Sequence, residues 1–216
     1  MILIPTTGAD DWQRFLADPE KQWRRGYSAM AAALSWESAD GLPAELAAVI
    51  GEDPELLLAI PEHKVWLPGG GRASQCDVFA LVKSGGDLIA VAVEAKVKEP
   101  FGPTIGEWMR DASPGKLERI SAICHVLGLS ERPPDHLRYQ LFHRTAAAVY
   151  EARRFNAGRA AMIVQSFSQE HLWFYDFRAF AQQFGMLEDL GEMLDCGLPC
   201  GMRLSLAWAV GAPEFL

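Results

Sequence analysis

Two apolar, β-branched segments, residues 76–83 and 88–97, stand on either side of Ser84-Gly85-Gly86-Asp87. That pattern predicts a hairpin with a two-residue turn, because the favoured turns need positive φ at central positions and glycine adopts it without strain. No other feature of the chain constrains the fold as tightly, since the turn also sets a register. With Gly85 and Gly86 at the tip, Ser84 pairs with Asp87, and counting outward sets Asp77 directly opposite Glu94. Opposed residues share a face, with Cβ atoms about 4.5–5.5 Å apart. Lys96 lies two residues beyond Glu94, so the strand period brings it to that face too. A three-residue loop would shift the register by one and break this arrangement.

Two acids facing each other at the end of an apolar hairpin repel, and each loses hydration. Lys96 offsets one of them. A divalent cation offsets both: magnesium takes one or two carboxylates, keeps several waters, and fills its shell from a substrate phosphate. Lys96 would then orient or activate the attacking water, or balance charge on the phosphoryl group. The competing reading is an ordinary salt-bridge cluster at strand ends, and both stand on geometry alone. An acid-x-lysine triplet is a weak signal by itself, since Glu62-His63-Lys64 matches it as well. The second copy follows Pro61, with no apolar strand expected before it and no acid set opposite by a turn.

The rest of the chain supplies layers for that hairpin. The first sixty residues read as helices, at 10–16, 27–37 and 42–50, with Pro54 starting another. A short strand follows at 64–67, closed by Pro68 and three glycines. Beyond the hairpin come helical segments near 105–110 and 116–127, and a long amphipathic helix at about 137–155. A strand at 159–166, a helix near 175–184 and a last strand at 202–210 complete the order. Helices, a hairpin, then helix and strand predict an α/β or α+β fold, a central mixed sheet flanked by helices. With 216 residues and no repeat or linker, one domain is expected: a helical part (1–60), a core (61–166), and a C-terminal helix and strand (167–216).

Composition narrows the setting. Half of the residues are hydrophobic, which excludes a largely disordered chain. The longest apolar stretches are too short to span a bilayer, and the N-terminus lacks the pattern of a signal peptide, so a soluble, cytoplasmic protein is expected. Cys76, Cys124, Cys196 and Cys200 lack the paired spacing of a structural zinc site and read as reduced thiols. The net charge of −8 argues against a protein that coats DNA, because non-specific affinity comes mainly from lysine and arginine neutralising phosphates. An acidic chain can still cleave DNA if its positive charge is local, or if a second subunit or a protein partner supplies the grip.

At Cys76-Asp77 and Glu94-Ala95-Lys96 the chain resembles the PD-(D/E)XK nuclease superfamily, the restriction-endonuclease-like fold. The likeness in element order covers roughly residues 27–165. The wider stretch from Ser74-Gln75-Cys76-Asp77 to Glu99-Pro100-Phe101-Gly102 resembles a bacterial family placed in that superfamily and carrying no known substrate. The resemblance implies that Asp77 and Glu94 ligate Mg2+ or Mn2+ with the Ala95 carbonyl, and that Lys96 serves the attacking water. Cys76 departs from the pattern, standing where many members have proline. Many members also carry an acid on the first core helix, for which Glu37 is the candidate and Glu45 the second. The helix after the hairpin often adds polar residues, and here Gln140, His143 and Arg144 occupy one face. Gln140 and Arg144 are expected at the site, and His143 is expected to be structural.

Other signals carry no function at this level. Gly69-Gly70-Gly71 lacks the strand–loop–helix spacing of a dinucleotide site, and Pro114-Gly115-Lys116 lacks the first glycine and the Ser/Thr of a phosphate loop. No HExxH or GxSxG is present. The resemblance implies metal-dependent phosphodiester hydrolysis of nucleic acid, with DNA favoured and restriction or defence as a setting. The alternatives are a nuclease-fold module that no longer cuts, which the acidic charge favours, and hydrolysis of a small phosphorylated or nucleotide substrate.

Overall fold

Gly85 and Gly86 adopt φ of 54° and 86°, and the strands they join pair from Ser84↔Asp87 to Val78↔Val93, the register a two-glycine turn demands. In the computed structural model, which describes residues 6–186 and 190–216, these are β2 (Ser74–Ser84) and β3 (Asp87–Lys96). The other strands are β1 (Glu55–Val65), β4 (Arg159–Ser166), β5 (Met193–Gly197) and β6 (Arg203–Val210). Together they form one six-stranded sheet of order β1-β2-β3-β4-β6-β5. β1, β2 and β3 are antiparallel neighbours, β4 runs parallel to β3 and to β6, and β5 returns antiparallel on β6.

Parallel neighbours need crossovers. Between β3 and β4 the chain forms α4 (Ile105–Met109), α5 (Pro114–Leu127) and α6 (Tyr139–Arg154), and after β4 it forms α7 (Phe174–Ala181). Before the sheet come α1 (Pro19–Gln22), α2 (Ser28–Ser38) and α3 (Ala44–Ile50). The result is an α/β fold, a mixed sheet flanked by helices. The caps of α5 follow local chemistry: the Ser113 side chain accepts from the Lys116 N–H, Pro114 needs no donor at the first position, and Gly128 ends the helix at φ 71°.

A core lies on each face. α6 lays Leu141, Phe142, Ala148, Val149 and Ala152 against the sheet, all fully buried, and its run of small Ala146, Ala147 and Ala148 permits close approach. Trp36 of α2 and Leu46 of α3 fill the opposite face against Val91, Val93 and Ile163. Strands covered on both sides read as continuous apolar runs rather than alternating ones, as β3 and β4 do. Among the described residues no helix is long and apolar enough to cross a membrane.

Two expectations are corrected. The helix expected from Pro54 is strand β1, and the strand expected at 64–67 is its end, with Trp66 and Leu67 lying beyond it. Leu56, Leu57, Leu58 and Ala59 suit a helix by propensity, but pairing with β2 along nearly the whole strand overrides it. Pro61 is tolerated because β1 is an outer strand of the sheet, and Leu57 is absorbed where the register shifts between Leu56 and Leu58. Strand β5 was not expected; it is short and weakly apolar, and it forms because the outer edge of β6 accepts it.

Candidate active site

Strand β3 keeps its alternation to the end. Ala90 and Ala92 belong to the core under α6, so Glu94 and Lys96 continue on that face. There they meet α6, whose Gln140 and Arg144 are four apart on one row of the helix. Arg144 Nε donates to Glu94 Oε2 at 2.6 Å, Gln140 Nε2 donates to Oε1 at 2.7 Å, and Lys96 Nζ donates to the same Oε1. Glu94, Lys96 and Arg144 are all buried. Burial pushes the Glu94 carboxyl up, but the Arg144 and Lys96 cations outweigh it and hold it below the usual range. Lys96 Nζ also lies 5.2 Å from the centre of the Phe101 ring.

Strand β2 does not keep its alternation. Cys76 and Phe79, three residues apart, pack into one core, while Val78 packs into the other. The break falls at Asp77. The β1–β2 partners run from His63↔Cys76 to Pro61↔Val78, passing over Glu62 and Asp77, and the β2–β3 ladder stops at Val78↔Val93. Glu62 takes φ of 53°, a left-handed conformation rarely used by a residue with a side chain. The Ala95 N–H donates to Asp77 Oδ2 at 2.6 Å. Opening of the ladder therefore brings the Asp77 carboxylate onto the backbone of β3.

The opening admits a third acid. Glu62, Asp77 and Glu94 lie on three adjacent strands and line one cleft of about 470 Å³, together with Lys96, Gln140 and Arg144. Gln75 Nε2 donates to Glu62 Oε2 at 2.7 Å. Burial first, and then the neighbouring Glu94 charge, push the Asp77 carboxyl up to about 7. Burial and the Asp77 charge push Glu62 up to about 8. Among the described residues, Glu94 alone of the three acids is matched by cations at contact distance. Lys21, Tyr27 and Ser28 close the far side of the cleft with Glu99, whose carboxylate accepts from the Ser28 N–H at 2.8 Å. Glu99 thereby caps α2, which has no side-chain cap of its own.

Asp77, Glu94, Lys96, Gln140 and Arg144 thus come together, with Ala95 held between them by its N–H. Glu37 and Glu45 do not join them. Glu37 accepts from the Trp12 indole at 2.6 Å and from Thr6, and Glu45 accepts from Ser35 and Gln165. The reason is the direction of α2: its first turn faces the cleft, and Glu37 lies nine residues further on, roughly 13 Å along the axis at the α-helical rise. The acid that joins in their place is Glu62, from the triplet set aside in favour of Glu94-Ala95-Lys96. His143 turns away from the cleft, with Nδ1 2.8 Å from Ser74 Oγ.

A family model described as a domain of unknown function (DUF6946) matches residues 5–213. The chain belongs to that family. No curated protein and no solved structure matches it.

Proposed function

We propose that the cleft hydrolyses phosphodiester bonds of nucleic acid, DNA foremost, with a divalent cation, magnesium or manganese. The observation that carries this is the convergence of three strand-borne carboxylates beside a buried lysine, two of them without a cation at contact distance among the described residues. Such an excess of negative charge is offset by a divalent ion. Among the described residues no three His, Cys, Asp or Glu surround one point as an all-protein cage would. Magnesium needs no such cage, because one or two carboxylates suffice and water and substrate phosphate complete its shell. Asp77, Glu94 and the Ala95 carbonyl fit that requirement, since a carboxylate oxygen that accepts one N–H keeps a further lone pair.

A divalent ion held there polarises the phosphoryl oxygen and acidifies a water. The chain's own residues do the rest. Arg144 and Gln140 fix the Glu94 carboxylate, and the Ala95 N–H fixes that of Asp77. Lys96, tethered to Glu94, sets its ammonium where it orients the attacking water and offsets charge on the phosphoryl group. At a net charge of −8, grip on a polyanion must come from local cations, a second copy of the chain, or a protein partner. One observation favours a second reading, a nuclease-fold module that no longer cuts: both Glu94 oxygens already have cationic partners.

The test is cleavage of DNA by the purified chain in magnesium or manganese, with chelator as blank. Asp77→Ala should abolish cleavage. Lys96→Ala should lower it by about a hundredfold or more, the usual scale for a proton-transfer or charge-stabilising group. Lys64→Ala, exposed and outside the cleft, should cut as wild type does. Equal cleavage by wild type and Lys96→Ala would remove the site, and no cleavage in either metal would favour the non-cutting module.

A further inference from the structure

The two glycine-bearing segments that match no phosphate motif in the sequence meet in space. Gly69 and Gly115 touch so closely that a Cβ on Gly69 would lie 2.3 Å from the Gly115 carbonyl oxygen. Between them opens a second cavity of about 480 Å³, whose side-chain lining includes Arg72, Lys116, Arg119, Trp108, Tyr139 and His143. Among the described residues no carboxylate lines it, in a chain where acids outnumber lysine and arginine 28 to 20.

Among the described residues no carboxylate pairs with the cations of that cavity. Arg119 is buried, and its guanidinium donates to the carbonyls of Leu67, Pro68, Gly70 and Arg72. Among the described residues it has no carboxylate partner. A buried cation held only by neutral acceptors carries a standing desolvation penalty that an anion would relieve. Lys116 Nζ likewise donates to a carbonyl, that of Trp108 at 2.8 Å. Trp108 stacks on Tyr139 with centroids 3.8 Å apart and planes 10° apart, and Lys116 Nζ stands over the Trp108 ring 5.6 Å from its centre, so that cation and aromatic wall share one side of the cavity.

The cavity adjoins the acid cleft through shared elements. On α6, Tyr139 and His143 line the cationic cavity, while the next row, Gln140 and Arg144, lines the cleft. On β2, Ser74 lines the first and Gln75 the second. Arg144 spans the wall, with Nη1 3.2 Å from Ser74 Oγ and Nε on Glu94.

We propose that this cavity is a phosphate subsite for a nucleotide of the same strand whose phosphodiester enters the acid cleft, with Arg72 and Lys116 taking the phosphate, Arg119 adding its charge from the glycine loop it ties down, and the Trp108 ring beside Lys116 flanking the base. The proposal rests on the phosphodiester reading of the cleft, and supplies the local positive charge that an acidic chain needs. A single strand suits it, because an unpaired base can reach an aromatic wall.

The test is binding of a fluorescein-labelled single-stranded oligonucleotide to the full chain in chelator, read by anisotropy across a salt series. The variants are Arg72→Ala, Lys116→Gln, which can keep a donor to the Trp108 carbonyl, and the pair. Arg119 is left intact because it ties down the glycine loop. Each change should weaken binding severalfold and lower the slope of log K against log salt by about 0.7, the value for one lost single-strand phosphate contact. A control, Lys83→Gln on the exposed part of β2, should change neither. Inorganic phosphate should compete weakly, and a 5′-phosphorylated dinucleotide better. Wild-type affinity and slope in the double variant would overturn the subsite, even if the chain cuts DNA. Competition by inorganic phosphate equal to that of the dinucleotide would also overturn it, leaving a free-anion site. Binding that the variants weaken in a chain that cuts nothing would uphold the subsite and remove the cleavage reading.

Discussion

Replacing Arg144 with glutamine separates an electrostatically organised cleft from an accidental one. Arg144 Nε lies 2.6 Å from Glu94 Oε2, with side chains 9% and 3% exposed. Removing one partner of a buried ion pair costs about 3–5 kcal/mol, because the other charge stays desolvated. Lys96 and Gln140 still hold Glu94, so the lower end applies, about 3 kcal/mol. In a domain of this size one kcal/mol moves Tm by about 2–4 °C, giving a loss of about 6–12 °C at neutral pH. The sign of the pH dependence follows from Glu94. Its folded pKa is depressed, so its contribution is present above the unfolded value of 4.5 and is lost as pH falls through the folded one. The gap between wild type and Arg144→Gln should therefore narrow in acid. In urea unfolding at pH 7.5, the double variant Glu94→Gln with Arg144→Gln should be more stable than the two single losses imply, by about 1–3 kcal/mol. Additivity within about 0.5 kcal/mol, or an unchanged Tm for Arg144→Gln, would refute the account of how Glu94 is held.

Two further outcomes follow from the same residues. Asp77 and Glu62 have folded pKa values raised to about 7 and about 8, so their protonated forms stabilise the fold at low pH and that stability is lost as pH rises through those values. Thermal melts should show Glu62→Gln gaining on wild type between about pH 4.5 and pH 8 and levelling off above that, and a constant offset would contradict the shared burial of the two acids. Glu37→Gln should weaken the anchoring of Trp12 and lower Tm by a few degrees in the same melts, yet leave cleavage unchanged; lost cleavage at full stability would return Glu37 to the site.

What could be read from the chain divides along a physical line. The turn glycines fix a local register, so the facing of β2 and β3 and the companionship of Glu94 and Lys96 follow from counting. The meeting with Gln140 and Arg144 was legible only through the resemblance, which implies that α6 crosses that end of the sheet. Glu62 was missed because its strand is built from leucine and alanine, whose preference is helical until β2 supplies hydrogen bonds. Glu37 was misassigned because residue type names an acid on a helix without saying which end of the helix meets the cleft. The cationic cavity was illegible altogether: Gly69 and Gly115 are uninformative apart and become a site wall only on contact.

Crystals soaked in manganese and measured for anomalous scattering test the central claim most directly. The account predicts one strong peak between the Asp77 and Glu94 carboxylates, against the Ala95 carbonyl, that survives in Lys96→Ala and vanishes in Asp77→Asn. A cleft with no peak at saturating manganese, and Glu94 still held by Arg144 and Lys96, would contradict it.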